Sequence, residues 1–87
     1  MIKGKTKSGF EYKIPEENLN NYELVETLGE LEANPLLISR VVNLLLGKEL
    51  ANELKEHLRT ESGTVPTDKM SEEIMEIFNN QQETKNS

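Results

Sequence analysis

His57 is the only histidine in the sequence, and Glu53 and Glu61 each stand four residues from it. On a helix that spacing puts a carboxylate on the face of the imidazole, which is how a metal ligand set or a general base is assembled. One histidine among glutamates on a Glu-rich helix is also what chance supplies, and no further ligand type supports it. Cysteine is absent, which excludes disulfides and thiolate metal sites. Paired carboxylates do acid–base work when burial separates their pKa values. The pattern sets no two carboxylates in apolar surroundings, and Glu72-Glu73 reads as a charge pair near a helix N-terminus. Gly47-Lys48 resembles the end of a phosphate loop, but that motif needs Gly at position 42 and Ser or Thr at 49, where Val42 and Glu49 stand. There is no Ser–His–Asp arrangement, Gly-rich dinucleotide turn or Asp-rich calcium loop. Catalytic, cofactor-binding and metal-binding residues are therefore not expected, and neither is an enzyme.

The stripe Met70, Ile74, Ile77 and Phe78 is the stronger functional candidate. These residues fall at i, i+4, i+7 and i+8 of the last predicted helix, with Met75 beside them. One reading is that the stripe closes the core. The other is that the helix docks only partly and offers Met and Phe to a protein partner, since both adapt and bury large area at interfaces. The same four residues are the candidate partner-binding site.

The elements that must position them are legible from periodicity. Residues 2–7 and 10–14 alternate around Ser8-Gly9, with Phe10, Tyr12 and Ile14 on one face and Glu11 and Lys13 on the other, which predicts a β-hairpin. Two strands alone are marginal in water, so the apolar face must pack on helices or extend a partner's sheet. Pro15 ends the strand, and Glu16 to Asn21 form a polar connection. From about Asn21, Leu24, Val25, Leu28 and Leu31 recur at helical spacing, with Glu23, Glu26, Glu30 and Glu32 on the other side. Asn34-Pro35 breaks this helix and begins another over residues 35–46, apolar over most of its circumference through Leu36, Leu37, Ile38, Val41, Val42, Leu44, Leu45 and Leu46. Gly47 is the expected cap. Leu50, Ala51, Leu54 and Leu58 predict a helix over 48–59, and Thr67 or Ser71 is expected to cap the last one.

Composition bounds the rest. The 87 residues make one domain at most, with 34% hydrophobic and 30% charged residues, enough for one thin core beneath a large polar surface. The net charge of −6 repels polyanions over most of that surface. Residues 1–13 differ: Lys3, Lys5, Lys7 and Lys13 face only Glu11, a net of +3 against −9 for the remainder. Lysines on an edge strand discourage sheet aggregation. The competing reading is nucleic-acid binding through Lys3, Lys5, Lys7 and Tyr12. No apolar run approaches membrane-spanning length, and the N-terminus lacks the apolar segment of a signal peptide, so a cytosolic protein is expected.

The pattern as a whole resembles a known family. Ser8-Gly9-Phe10-Glu11-Tyr12 opens in the hairpin, an acidic helix follows, and the Leu-rich segment ends at Leu45-Leu46-Gly47. Then come His57-Leu58-Arg59-Thr60-Glu61-Ser62-Gly63-Thr64-Val65-Pro66, Ser71-Glu72-Glu73-Ile74-Met75-Glu76-Ile77 and a terminus ending Lys85-Asn86-Ser87. Over nearly its full length this is similar to the small tail assembly chaperones of long-tailed (siphovirus-type) phages and prophages of Gram-positive bacteria. The resemblance implies a protein of the host cytoplasm that binds the tape measure protein, keeps it soluble and assists polymerisation of the tail tube protein. It carries no individual residue over as a site.

The expected architecture is α+β and mainly α: an N-terminal β-hairpin followed by three to four short helices and a disordered C-terminal tail. Residues 1–79 form the single small domain and 80–87 the polar flexible tail. The expected function is that of a tail assembly chaperone, with another small prophage adaptor or regulatory protein-binding domain as the alternative. Tape measure protein and tail tube protein are the expected partners, along with further copies of the chain; nucleic acid, membrane and cofactors are not.

Overall fold

The alternation over the first fourteen residues folds as an antiparallel hairpin. In the computed structural model, which describes residues 1–80 in full and the backbone of 81–86, β1 (Ile2–Lys5) pairs with β2 (Glu11–Ile14). The register is Ile2↔Ile14, Lys3↔Lys13, Gly4↔Tyr12 and Lys5↔Glu11. The turn between them depends on Gly9, whose φ of 95° disfavours any side chain. Gly9 N–H donates to Thr6 O at 2.9 Å, so Phe10 N–H turns instead to Thr6 Oγ1 at 3.2 Å. Period two then buries Phe10, Tyr12 and Ile14 on one face and exposes Glu11 and Lys13 on the other.

Pro15 ends β2 and opens a one-turn helix, α1 (Glu16–Leu19), where the sequence indicated only a polar connection. Asn18 Nδ2 fastens α1 to the Leu-rich helix by donating to Leu45 O at 2.9 Å. Asn21 starts α2 (Tyr22–Leu31), its Oδ1 accepting from Glu23 N–H at 3.0 Å. Asn34-Pro35 does break the chain, but the next α-helix does not begin there. Residues Pro35–Leu37 form a 3-10 turn, and α3 spans Ile38–Leu46. The displaced start leaves Leu36 87% exposed instead of in the core.

Gly47, with φ 82°, joins α3 to α4 (Lys48–Leu58) without a spacer. Its N–H donates to Asn43 O at 2.9 Å and its carbonyl accepts from Ala51 N–H at 3.0 Å, so one residue ends one helix and begins the next. Arg59 organises the loop that follows. Its guanidinium bonds both carboxylate oxygens of Glu56 and donates to Gly63 O at 2.7 Å. The last helix, α5 (Thr67–Asn86), starts with Met70 N–H donating to Pro66 O at 3.1 Å. Pro66 therefore holds the cap position, and Thr67 and Ser71 lie inside the helix.

Among the described residues, five α-helices and one two-stranded sheet thus make a mainly helical α+β fold with an N-terminal hairpin. The core draws on the hairpin (Phe10, Tyr12, Ile14), α2 (Leu24), α3 (Val41, Val42, Leu45, Leu46), α4 (Ala51, Leu54) and α5 (Met70, Ile74, Ile77). The hairpin face thereby finds the helical support that two strands require. Of the tail expected at 80–87, Asn80 lies within α5 and is half-buried. The side chains of 81–86, and all of residue 87, lie outside the described residues.

Candidate functional site

The face of α5 singled out by periodicity points inward. Met70, Ile74 and Ile77 are buried in the core, and Phe78 is half-buried against it. The expectation that these four residues form a partner-binding surface is corrected for the first three, because α5 packs against α3 and α4 through this stripe. Met75, one helical step to the side, remains 40% exposed.

Glu73 belongs to the same inward face, three residues after Met70 and four before Ile77. It is buried instead of lying on the surface as half of a charge pair; Glu72 alone stays outside, 3.8 Å from Lys69. Glu73 Oε1 accepts from Thr6 Oγ1 at 2.7 Å and from Ser8 Oγ at 2.9 Å. Ser8 Oγ also lies 3.1 Å from His57 Nε2, and Lys7 N–H donates to Glu76 Oε2 at 2.8 Å. When the Ser8 proton is on Glu73, Ser8 Oγ accepts from His57 in the Nε2–H tautomer. The order is carboxylate, hydroxyl, imidazole. In that arrangement Glu73, and not His57, holds the Ser8 proton, whereas nucleophile activation would need it on His57. The Phe10 ring lies 5.5 Å from the imidazole, completing a dock that holds the hairpin turn on α4 and α5. Glu53 and Glu61, the carboxylates nearest His57 in sequence, form no hydrogen bond or ion pair with it among the described residues.

Two concavities lined by described residues bear on function. One, of about 1010 Å³, is an open trough between the hairpin and the start of α4. Lys3, Lys5, Lys13 and Lys48 line it, but Glu11, Glu49 and Glu53 line it too, leaving a net of +1. Tyr12 is buried, its ring lying across Gly4, so it cannot serve as a stacking platform for a base.

The other is a groove of about 480 Å³ between the end of α2 and the first half of α5. Leu28, Leu31, Pro35 and Met75 form its walls, with Gly29, Glu32, Thr67 and Ser71 at the margins. α2 continues the apolar surface beyond it. Tyr22, Val25 and Gly29 stand at i, i+3 and i+7, so they form one stripe beside Leu28, and Tyr22 and Val25 are 75% and 51% exposed. Val25 was expected to share the inward side with Leu24. An arc that includes Leu24, Val25, Leu28 and Leu31 is wider than one core contact, and the Tyr22–Val25–Gly29 spacing was the available sign of a second apolar face. The next stripe around the helix is Glu23, Glu26 and Glu30. Among the described residues only Glu23 of these is ion-paired, at 3.6 Å to Arg40.

Among the described residues no three His, Cys, Asp or Glu side chains converge as a metal site. No helix among them is long and apolar enough to cross a membrane. No protein-family model, curated protein or solved structure matches the chain at a significant level.

Proposed function

We propose that this protein is a tail assembly chaperone of a long-tailed phage or prophage, acting by binding and not by catalysis. It holds the tape measure protein soluble in the host cytoplasm and assists polymerisation of the tail tube protein around it. Beyond the full-length resemblance, one observation carries this reading: an open apolar groove, walled by Leu28, Leu31 and Met75, on a protein of net negative charge. Neighbouring apolar side chains left open to solvent are a surface that a protein partner can cover. A net charge of −6 keeps the complex soluble while apolar partner segments are covered. A long partner with many such segments is served by many small copies, each binding modestly.

Co-expression with the tape measure protein of the same phage tests the proposal. The soluble fraction of that partner should rise with the chaperone present; no gain in solubility would refute it. Pull-down from lysate containing phage structural proteins and host proteins separates it from a small adaptor, which would retain a host factor instead.

A further inference from the structure

We infer that the groove between α2 and α5 receives an amphipathic helix with lysine or arginine flanking its apolar face, laid along Leu28, Leu31 and Met75 with its backbone close to Gly29. This rests on the proposed function and specifies the kind of segment recognised. The groove is built by two helices whose backbone groups are engaged in their own ladders, so it offers side chains and no strand edge to pair with. Rows at i, i+3 and i+7 on α2 are what a second helix packs against. Gly29 lowers the groove end of that row: a Cβ built there meets nothing within 4 Å, so the position is open and the glycine is not required by the chain's own packing.

Charge sets the rest of the partner's chemistry. Glu32 lines the groove, and Glu26 and Glu30 run beside the exposed apolar stripe. Among the described residues none of these three has an ion-pair partner and no lysine or arginine lines the groove. A partner with cations beside its apolar face meets this rim favourably. A second copy docked by the same face would set acidic rim against acidic rim, because a two-fold contact uses one patch twice.

The test is fluorescence anisotropy with the full chain and two synthetic peptides of about 18 residues, five helical turns, sharing one Leu pattern at i, i+3, i+4 and i+7. One peptide carries Lys beside the apolar face and the other Glu. The Lys peptide should bind about tenfold more tightly than the Glu peptide. Met75→Glu and Gly29→Leu should each weaken it by about tenfold, with unchanged circular dichroism. Both sites are exposed, so the variants keep the fold. Equal binding of the two peptides, no binding of either, or wild-type affinity in both variants overturns the inference. So does a wild-type dimer that Met75→Glu converts to monomer. The same variants separate this idea from the function it rests on. If wild type and both variants solubilise the tape measure protein alike, the chaperone stands and the groove assignment fails. If the Lys peptide binds as described and no variant or wild type solubilises that protein, the groove stands and the chaperone fails.

Discussion

Thr6 Oγ1 donates a 2.7 Å hydrogen bond to Glu73 Oε1, tying the hairpin turn to the middle of α5 across 67 positions of sequence. Both residues are buried, and Thr6 Oγ1 also accepts from Phe10 N–H. Thr6→Val removes the donor to a carboxylate and the acceptor of a backbone N–H, which should cost about 1–3 kcal/mol. Glu73→Ala should cost about the same, since it leaves the buried Thr6 hydroxyl without its acceptor. The two losses describe one contact, so the double variant should be less destabilised than their sum, read from urea midpoints at constant m. Strict additivity would mean that the bond does not couple the two elements.

Gly4 faces Tyr12 across the hairpin, and the phenol ring lies over the position a Cβ would take. Gly4→Ala would collide with the outer edge of a ring that is buried and cannot swing into solvent without uncovering the core. The expected loss is about 1–3 kcal/mol, typical of forced overpacking. Near-ultraviolet circular dichroism should report the displaced tyrosine. An unaltered tyrosine signal at wild-type stability would show that the ring does not depend on Gly4.

The Arg59 guanidinium bonds both oxygens of Glu56 and holds that carboxyl below its usual value of 4.5. A depressed folded-state pKa contributes stability that is present above 4.5 and is lost as the pH falls below it. The pair is exposed, so its main effect is on the loop that Arg59 also anchors through Gly63 O. In Arg59→Ala the Glu56 carboxyl should titrate closer to the ordinary value by NMR, and amides of residues 60–64 should exchange faster. Arg59→Lys keeps the charge without the two-pronged bond and should fall between. An unchanged Glu56 midpoint in Arg59→Ala would remove the basis for this account.

Local order proved easier to read than side-chain assignment. The hairpin, the helix beginning near Asn21 and the Gly47 junction rest on short-range chemistry: alternation, a helical apolar period and a glycine that can take a positive φ. What escaped depended on which of two apolar arcs faces the core. On α2, Leu24 turned inward and Val25 outward, and a residue count cannot choose between neighbours when both are apolar. Glu73 escaped for the opposite reason. It occupies an inward position between Met70 and Ile77, but a charged residue reads as surface until its partner is known. That partner is a threonine in the hairpin turn, far away in sequence.

The two sides of α5 give the sharpest separation of structure from function. Ile74 is fully buried, and Ile74→Ala should cost about 2–5 kcal/mol through lost burial and a cavity. That is a large share of the stability of a chain this small, so much of the variant should be unfolded under mild denaturant. Met75 is the adjacent residue and projects toward the groove, so Met75→Ala should change stability by less than about 0.5 kcal/mol. Any effect of Ile74→Ala on partner solubility should therefore track the fraction folded, while Met75→Ala should lower it at constant fold. Thermal melts run beside the co-expression assay decide this. If Met75→Ala melts as early as Ile74→Ala, the methionine is core and the exposed face of α5 is not the one that partners meet.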